Sequence, residues 1–535
     1  MSSQASTTGK AAASGAAVVL LTLAMAQFLM TLDTSVMNVA IATVAKDVNT
    51  TVSGVQTAIT LYALVMAALM ITGGKIGAII GRKRAFAIGS VIYGAGSLTT
   101  SLAHSLTVLI IGWSFLEGMG AALIMPAIVA LVASNFPRSE RPRAYGLVAS
   151  ASAIAVAAGP LIGGFFTTYL SWRLVFAGEV IVVLAILALA RRMVDSPAEP
   201  ARLDLVGTAL SATGLALIVF AILRSGVWGF VDPKQGAPVW LGLSPVVWLV
   251  LAGGFVLYGF LTWENSVLAR GGTPLLDPKM LENVQLRGGL VAFFLQFLLQ
   301  AGLFYAVPLF LSVALGLSAI ATGVRLLPLS LSLLLAAAGI PRFFPDASPR
   351  RVVRIGFLAL FAGLVVLVAA LDSGAGPEVV TLPLLLAGLG VGALASQLGA
   401  VTVSAVPDEQ SGEVGGLQNT VTNLGASIGT ALSGAVLIAV LTTSFLHGIA
   451  NNPDVPARVA NNAQTELSSG VPFVSDADLE KALSDAGVTG KTADAIISEN
   501  EESRLRALQV AMAVLSLFAL AALFTSRRIP DRRQT

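Results

Sequence analysis

Cysteine is missing from this 535-residue chain, and histidine occurs only twice. Without cysteine the protein has no disulfide bonds, no thiolate metal site and no cysteine nucleophile. The two histidines, His104 and His447, fall at the ends of long apolar segments, which excludes a histidine-based catalytic or metal site within those segments. The sequence also lacks a GxxxxGK(S/T) phosphate loop, so ATP-driven pumping is not expected. These absences argue against an enzyme and predict neither a metal nor a cofactor.

Charged residues are also scarce, at 11% of the chain, whereas a soluble domain has about 25%. Hydrophobic residues reach 56% and form runs of about twenty, the length at which a helix crosses the hydrocarbon core of a membrane. The first run is too long, and too closely followed by another, for a cleaved signal peptide. We therefore predict an all-α polytopic membrane protein with fourteen transmembrane helices. The predicted spans are 17–43, 53–79, 85–103, 106–134, 144–169, 174–190, 205–223, 243–263, 288–313, 319–340, 353–372, 380–405, 414–443 and 506–526.

The positive charges are distributed unequally between the two sets of predicted loops. One set contains most of the Lys and Arg residues, including the Arg82–Arg84 cluster. Because positively charged loops remain in the cytoplasm, this division predicts that both termini are cytoplasmic. We expect a multi-pass protein of the plasma membrane, which is the inner membrane in a bacterium. The opposite short loops and span ends contain only Lys46, Arg173, Arg224 and Lys234.

A weak internal repeat indicates a duplicated architecture. GRKRAFAIG, which ends at Gly89, resembles SPRRVVRIG, which ends at Gly356, and each follows the second span of a six-span block. Duplicated halves with a site at their interface are common in secondary transporters. We therefore predict four regions. They are an N-terminal six-helix bundle (1–190), two inserted linker helices with their loops (191–287), a C-terminal six-helix bundle (288–526, including an external loop at 446–504) and a basic cytoplasmic tail (527–535).

The one long external segment, 446–504, is rich in Asn, Ala, Ser and acidic residues. Helix-start residues in SDADLEKALSDAG and KTADAIISENEESRLRAL favour short surface helices there. A solvated loop without a transport role is the favoured interpretation of this segment, and a functional lid is the alternative.

Four short stretches identify the kind of membrane protein. They are LDTSVMNVAI at 32–41, GGKIGAIIGRKR at 73–84, IIGWSFLEGMGAALIMP at 110–126 and AAGPLIGG at 157–164. These four stretches carry a resemblance to the major facilitator superfamily and, within it, to the fourteen-helix drug/proton antiporter branch. The resemblance covers essentially the whole chain. The resemblance implies the major facilitator fold, with two six-helix bundles plus two extra linking helices. It also implies transport by alternating access around a central cavity.

Three acidic residues within the predicted spans are the candidate proton-coupling and substrate residues. Asp33 and, five residues on, Asn38 match the family's first-helix signature, while Glu117 stands where the family usually has glutamine and Glu179 where it usually has asparagine. A carboxylate at membrane depth is costly and generally faces a water-filled cavity, so Asp33 is the first candidate. Glu117 could share a cavity with Asp33, and Glu179 is expected near the external interface, where it stays hydrated. The alternative for Asp33 and Glu117 is a structural hydrogen bond between helices.

Two of the stretches, GGKIGAIIGRKR and AAGPLIGG, supply candidate residues for gating or close packing. The candidates are glycines, one proline that bends its helix, and three basic residues. In the family the first stretch carries an aspartate whose place is taken here by Ala78, which puts the usual charge relay in doubt. The second, AAGPLIGG, is associated in this superfamily with antiporters rather than importers. Topological anchoring and simple helix packing are the alternative roles. The gating or structural candidates are Gly74, Gly77, Gly81, Arg82, Lys83, Arg84, Gly159, Pro160, Gly163 and Gly164.

Uncharged polar residues dominate the spans of the second half. Amides at membrane depth bridge helices or contact a substrate, and bridging is the commoner role. Several aromatic rings near Gln296 and Gln300 could line an apolar drug cavity, although lipid contact or packing is the default for them. The candidate cavity amides are Asn38, Gln296, Gln300, Gln418 and Asn419.

The sequence therefore predicts proton-coupled secondary active efflux of amphipathic or cationic drugs or toxic compounds. In that cycle a proton from outside neutralises Asp33, alone or together with Glu117, and displaces the substrate. The proton-motive force drives the cycle without a cofactor. The expected partners are a small molecule, protons and the lipid bilayer, with no nucleic acid, and the expected state is a monomer. The alternatives are a dedicated exporter of one endogenous metabolite, lipid or antibiotic and, less favoured, a non-transporting membrane sensor or scaffold.

Overall fold

A computed structural model describes residues 2–531, apart from 51, 138–139, 196–197, 199–201, 235, 373, 408–409 and 468–470. Throughout these residues the regular structure is helical, and the pairing of extended backbone is limited to one isolated bridge between Trp240 and Leu243. The prediction of an all-α protein is therefore confirmed. The last four residues of the predicted basic tail lie outside the described residues.

Seventeen α-helices are present in the part of the chain that the structure describes. A π-helical stretch, Ile110–Glu117, joins α4 to α5 without interruption, and a second one, Phe310–Ala314, continues α10. The helices are α1 (Ser2–Asp47), α2 (Val52–Ile80), α3 (Arg82–Ser101), α4 (Leu106–Leu109), α5 (Gly118–Asn135), α6 (Arg141–Tyr169), α7 (Arg173–Ala190), α8 (Leu205–Trp228), α9 (Pro245–Ala269), α10 (Val284–Leu309), α11 (Ala319–Phe343), α12 (Pro349–Ala370), α13 (Thr381–Val403), α14 (Ser411–Asn451), α15 (Ala457–Glu466), α16 (Asp476–Asp485) and α17 (Lys491–Thr525).

Thirteen of the described helical segments are long and apolar enough to span a membrane. α3 is not among them because its basic start and its Gly, Ser and Thr residues dilute its apolar content, although it is 20 residues long and packs against α5 and α7. Counting α3 would bring the number to fourteen, so that number of spans stays a prediction. The largest differences in boundary are at the start of α1, which already begins at Ser2, and at the start of α17, which already begins at Lys491. α14 also continues past its predicted end to Asn451.

Local sequence explains where several of these helices begin. Ser244 and Ser348 accept hydrogen bonds from backbone amides at the starts of α9 and α12, and Asp204 does the same at the start of α8. Such side-chain oxygens satisfy amides that have no partner within the helix. Pro245 and Pro349 follow the two serines, at a position where proline's missing N–H group costs nothing.

The long helices pack in three groups. α1–α7, the N-terminal group, contact one another around their own buried apolar residues, and α10–α14 with α17, the C-terminal group, do the same. α8 and α9 form an inserted pair, in which α8 contacts both α2 and α14. The inserted pair therefore lies against the junction of the other two groups. This packing supports two six-helix bundles with an inserted pair, while the residues at which the predicted regions divide stay a prediction.

The segment between α14 and α17 contains two short helices, α15 and α16. It is not solvated throughout, because Val471 is buried and because Pro472 and Phe473 line the large cavity described below. Arg504, buried in α17, pairs with Asp476 at 2.5 Å and holds this stretch against the helices. The favoured interpretation of a fully solvated loop is therefore wrong for this stretch.

Candidate transport cavity and buried carboxylate cluster

A cavity of about 2820 Å³ lies between the N-terminal group and the C-terminal group. α1 contributes Thr34 and Asn38 to its wall, α2 contributes Tyr62, and α10 contributes Gln296 and Gln300. Pockets for drug-sized ligands usually have volumes of about 300–1,000 Å³. The cavity is therefore large enough for such a molecule together with water.

All five candidate amides line this cavity, and their local bonds differ. Asn38 and Asn419 each donate to a carbonyl one helical turn earlier, at 2.9 Å. Gln418 donates to Thr402 and thereby bridges α14 to α13. Gln296 is buried, and its Oε1 atom has no hydrogen-bond partner among the described residues. Because buried polar atoms are nearly always paired, Gln296 is the amide best placed to accept a hydrogen bond from a bound molecule.

The described residues of the cavity wall include no Asp or Glu. Aromatic rings such as Phe297 and Phe304 lie among amide and hydroxyl side chains. The charged residues of the described wall are Arg141, Arg224 and Arg342. The wall is therefore neutral over most of its extent and positive at a few points, and it lacks the negative charge expected of a site for cations.

The three acidic candidates form one buried cluster outside the described cavity wall. Asp33, Glu117 and Glu179 are 0%, 0% and 2% exposed, and one carboxylate oxygen from each lies within 4.8 Å of the others. They come from α1, the first π-helical stretch and α7. Two expectations are corrected here: Asp33 does not face a water-filled cavity, and Glu179 is not hydrated near an interface. Glu117 does lie beside Asp33, although in a sealed cluster rather than in a cavity.

Each carboxylate of the cluster has one oxygen that accepts a hydrogen bond from a neutral donor. The three bonds are Trp113 Nε1 to Asp33 Oδ1 (2.8 Å), Thr100 Oγ1 to Glu117 Oε1 (3.0 Å) and Ser97 Oγ to Glu179 Oε2 (3.1 Å). The second oxygen of each carboxylate and the Tyr93 hydroxyl are buried without a hydrogen-bond partner in the described structure. Within the same residues, no ion pair joins the cluster to Lys or Arg. Because ionised carboxylates at this spacing repel one another, such a cluster can share protons, and its oxygens also suit a hard cation.

The backbone of the fourth span explains how Glu117 reaches the cluster. Ile110–Glu117 is π-helical, a wide turn that is rare and frequent at functional sites. Ser114 donates to the Ala58 carbonyl at 2.7 Å and links this stretch to α2. A Cβ atom on Gly96 would lie 2.6 Å from Glu117 Cγ, so glycine is what lets α3 approach this closely.

Tyr62 and Trp113 connect the cavity wall to the carboxylate cluster. Tyr62 belongs to the cavity wall, and its ring stacks on the buried Trp113 ring with centroids 5.0 Å apart and an interplanar angle of 2°. Trp113 in turn donates to Asp33. Neither aromatic residue carries a sequence signal that distinguishes it from an ordinary packing residue.

The glycine-rich basic stretch turns from α2 into α3 at Gly81, whose φ of 97° favours glycine. Asp195, which follows α7, accepts a hydrogen bond from the Lys83 amide at 2.9 Å. The Lys83 ammonium group donates to two backbone carbonyls just before Asp195. Asp195 therefore places a carboxylate beside the basic cluster, which lacks the family's aspartate at Ala78.

Gly74 and Gly412 bring α2 of the N-terminal group against α14 of the C-terminal group. A Cβ atom on Gly74 would lie 3.0 Å from the Gly412 carbonyl oxygen. Beside this contact the buried Lys75 donates to Glu413 at 3.3 Å. No sequence pattern pointed to this ion pair, whose members are 338 residues apart.

AAGPLIGG also makes contacts with two helices. Gly159 and Gly163 adjoin α1, and a Cβ atom on Gly163 would lie 3.1 Å from Val36 Cα. Pro160 lines the cavity and faces Gly323 of α11, on which a Cβ atom would lie 3.2 Å from the proline. The stretch therefore contributes to the contact between the N-terminal and C-terminal groups.

The other gating candidates are described by their burial and position. Gly77 and Gly164 are buried, Arg82 is half-buried and Arg84 is exposed at the start of α3. A Cβ atom on Gly77 would make only an ordinary contact. These placements fit gating, packing and topological anchoring equally well, so the gating role stays a prediction.

Known proteins share both the sequence and the fold of this chain. The model of the Major Facilitator Superfamily matches residues 23–430. The chain belongs to the major facilitator superfamily. The tetracenomycin C resistance and export protein of Streptomyces glaucescens is 28% identical over 525 residues, which cover 96% of this chain and 92% of that protein. A puromycin resistance protein of Streptomyces alboniger is 31% identical over 423 residues, which cover 77% and 80% of the two chains.

A solved structure adds the fold to this comparison. The human organic anion transporter MFSD10 superposes with a TM-score of 0.55 over 96% of this chain and 98% of its own, at 12% sequence identity. At that identity the likeness concerns the fold alone. Family, fold and apolar helices together make this chain a multi-pass membrane transporter of the superfamily.

Proposed function

We propose that this protein exports amphipathic small molecules from the cell and couples their export to the entry of protons. The observation that carries the proposal is a large cavity between two groups of helices with a sealed cluster of three carboxyl groups beside it. Acids within a membrane are costly and commonly belong to ion or proton pathways. Relatives named for antibiotic resistance and export support the direction of transport.

In the proposed cycle the substrate occupies the cavity and protons occupy the carboxylate cluster. The two groups of helices rock around the cavity and expose it alternately to each side of the membrane. One unit charge that crosses 100 mV releases about 2.3 kcal/mol, so the entry of about one or two protons supports a useful concentration gradient. In this proposal the proton-motive force supplies the free energy for transport, as ATP does in other transporters.

The expectation of a cationic substrate depended on Asp33 facing the cavity. Because the three carboxyl groups lie outside the described cavity wall, they offer the substrate no counter-charge in this conformation. The wall offers aromatic surface, amides, hydroxyl groups and guanidinium groups such as those of Arg224 and Arg342. We therefore extend the proposal to uncharged and anionic amphipathic compounds, and a positive charge is not required.

A dedicated exporter of one antibiotic or other metabolite is the second candidate. A relative whose name specifies one compound, tetracenomycin C, favours it. Both candidates use the same cavity and the same coupling, and they differ in the range of compounds transported. A sensor or scaffold would have no need of a cavity of about 2820 Å³.

We further propose a monomer in the plasma membrane with both termini in the cytoplasm. The unequal distribution of Lys and Arg supports this orientation. Because the chain contains no cysteine, a single introduced cysteine is its only site for maleimide labelling, which can test this orientation. In intact cells a membrane-impermeant maleimide should label Asp232→Cys and should not label Arg527→Cys. The opposite labelling pattern would reverse the orientation.

Purified protein in liposomes tests the transport proposal. A neutral aromatic dye and a cationic dye of matched size serve as probes, and a pH gradient is imposed across the membrane. We expect uptake of the neutral dye to follow the gradient and to stop when a protonophore collapses it. Absence of gradient-driven uptake for both dyes and for a panel of aromatic antibiotics would contradict the proposal. Uptake of a single compound from that panel would favour the dedicated exporter.

A further inference from the structure

The proposed proton site and the proposed substrate site do not overlap in this structure. Asp33, Glu117 and Glu179 are buried, and none of them lines the described cavity. A substrate therefore has no carboxylate to take over from a proton by direct competition. Coupling then requires a physical link through which each site changes the free energy of binding at the other.

Two aromatic side chains connect the two sites by direct contacts. Tyr62 forms part of the cavity wall and stacks flat on Trp113, with ring centroids 5.0 Å apart. Trp113 Nε1 donates to Asp33 Oδ1 at 2.8 Å. Tyr62 and Trp113 are only 2% and 0% exposed. Because close packing leaves little void for independent movement, a substrate that displaces the Tyr62 ring also displaces the indole.

The hydrogen bond between Trp113 and Asp33 depends on the charge of the acid. An indole N–H group donates and never accepts a hydrogen bond. Its bond to an ionised carboxylate is stronger than its bond to a neutral carboxyl group. We propose that the protons on the carboxylate cluster set the position of Trp113 and, through the stacked Tyr62, the shape of the cavity wall. Substrate binding acts in the reverse direction, and this inference rests on the proposed proton-coupled transport.

Further titratable groups surround Asp33 on the helices packed against it. Because one oxygen of each carboxyl group lies within 4.8 Å of the others, protons are shared by the cluster rather than held by single residues. The indole therefore responds to the state of the whole cluster. The surrounding groups are Tyr62 of α2, Tyr93 of α3, Glu117 of the π-helical stretch and Glu179 of α7.

The backbone around Trp113 supports a role in coupling. Trp113 lies within the π-helical stretch Ile110–Glu117, and Glu117 ends the same stretch. A change in this short piece of backbone moves a hydrogen-bond donor and a member of the cluster together. Local departures from the α-helix of this kind occur frequently at functional sites.

Trp113→Phe tests the inference because phenylalanine keeps a ring for stacking and removes the N–H donor. Trp172→Phe is a matched control, since Trp172 is also a buried indole of the N-terminal group and donates to Asp47 at 3.0 Å. In liposomes we expect W113F to reduce pH-gradient-driven uptake of a neutral aromatic dye by about tenfold, the loss expected for a hydrogen bond to a charged group. Exchange of the dye without a gradient should stay within about twofold of the wild type, and W172F should leave both rates unchanged.

Substrate-induced proton release separates coupling from a structural role. Purified protein in weakly buffered detergent solution is mixed with the dye, and the number of protons released per bound dye is recorded against pH. We expect wild-type protein and W172F to share one pH profile, and W113F to release fewer protons per bound dye. Wild-type release and a wild-type pH profile in W113F would overturn the inference.

Tyr62→Leu decides the question if W113F does not fold. It removes the stacked ring and leaves the indole bonded to Asp33, so we expect dye binding to release fewer protons. An unchanged ratio in that variant would also overturn the inference. If wild-type protein shows neither gradient-driven uptake nor proton release, the proposed function itself fails. If wild-type protein shows both and the variants retain both, only the aromatic link fails.

Discussion

The N-terminal and C-terminal groups of helices differ in what they bury. Among the described residues, the N-terminal group buries Asp33, Lys75, Glu117 and Glu179. In the described part of the C-terminal group α10–α14 bury amides and hydroxyl groups but no charged side chain, and α17 buries Arg504 but no carboxylate. The amides face the cavity, and the carboxyl groups lie away from it. The difference agrees with the proposal that the N-terminal group responds to protons while the C-terminal group presents a largely uncharged polar surface to the substrate.

What the two groups share is the way their basic loops are anchored. Lys83 at the start of α3 donates to carbonyls that follow α7, and Asp195 in the same segment accepts from the Lys83 amide. Arg350 at the start of α12 likewise donates to carbonyls that follow α17, and it pairs with Asp531 at 2.5 Å. The repeat seen in the sequence therefore corresponds to a repeated anchor, and the chemistry of the buried side chains is not repeated.

Neutralising the whole carboxylate cluster should have the largest effect, because it removes the buried acids that distinguish the N-terminal group from the C-terminal group. Asp33→Asn, Glu117→Gln and Glu179→Gln combined should lower pH-gradient-driven dye uptake by about a hundredfold, the lower range for the loss of proton-transfer groups. Equilibrium binding of the neutral dye should change less, by about tenfold, because no member of the cluster lines the described cavity and the cluster acts on the dye only through Trp113 and Tyr62. Uptake and fluorescence binding assays measure the two quantities. Loss of binding equal to the loss of uptake would show that the two sites are not separate.

A carboxylate placed in the C-terminal group should change selectivity rather than coupling. Gln296→Glu adds a negative charge to the wall, so we expect uptake of a cationic dye relative to a neutral one to rise by about tenfold. Gln296→Met, of similar size and uncharged, serves as the control. Competition between the two dyes in liposomes gives the ratio. An unchanged ratio in Gln296→Glu would place the substrate elsewhere in the cavity.

The ion pair between the two groups can be removed without touching either site. Lys75→Met should lower the free energy of unfolding by about 3 kcal/mol, because it leaves Glu413 beside an apolar side chain at a largely buried contact. We expect the transport rate to change by about fivefold, since the pair joins the groups that must move apart. Thermal unfolding and dye uptake measure these effects. Lys75→Met combined with Glu413→Gln should recover part of the stability, and additive losses would contradict the pairing.

The segment between α14 and α17 should have the smallest effect. Phe473→Ala removes one ring from the cavity wall, so we expect the apparent KM for a large aromatic dye to rise by about twofold. Arg458→Ala, on exposed α15, is the control. Initial uptake rates over a range of dye concentrations provide the measurement. An effect of Arg458→Ala as large as that of Phe473→Ala would point to a general disturbance of the segment.

Local properties of the sequence predict much of this molecule. Apolar runs predict the spans, because a membrane span is a property of about twenty consecutive residues. Asp33, Glu117 and Glu179 could each be singled out, because an acid inside an apolar run is a local exception. Their convergence could not be predicted, since it depends on how three separate helices pack. The same holds for Lys75 and Glu413, which lie 338 residues apart.

The aromatic link belongs to the part that sequence does not reveal, whereas the five candidate amides of the cavity wall could be singled out from it. Tyr62 and Trp113 look like packing residues in an apolar span, and their roles follow from one stacking contact and one hydrogen bond. Asp33 illustrates a different error, in which a residue singled out from the sequence is assigned the wrong environment. Its position on α1 is local information, whereas the direction of its side chain relative to the cavity is not.

The π-helical stretch in the fourth span has a consequence for chain length. A π-helical turn accommodates residues that an α-helix would place on another face, and in an α-helix each residue turns the helix by about 100°. Deleting one residue from 110–117 would therefore let this stretch return to regular winding while the helices on either side keep nearly the same faces, because the wide turns already absorb the extra residue. The side chains of the stretch itself would shift relative to α1, α2 and α3. A single gap at this point in an alignment therefore marks a change in the winding of the fourth span and not a change in the orientation of its two ends.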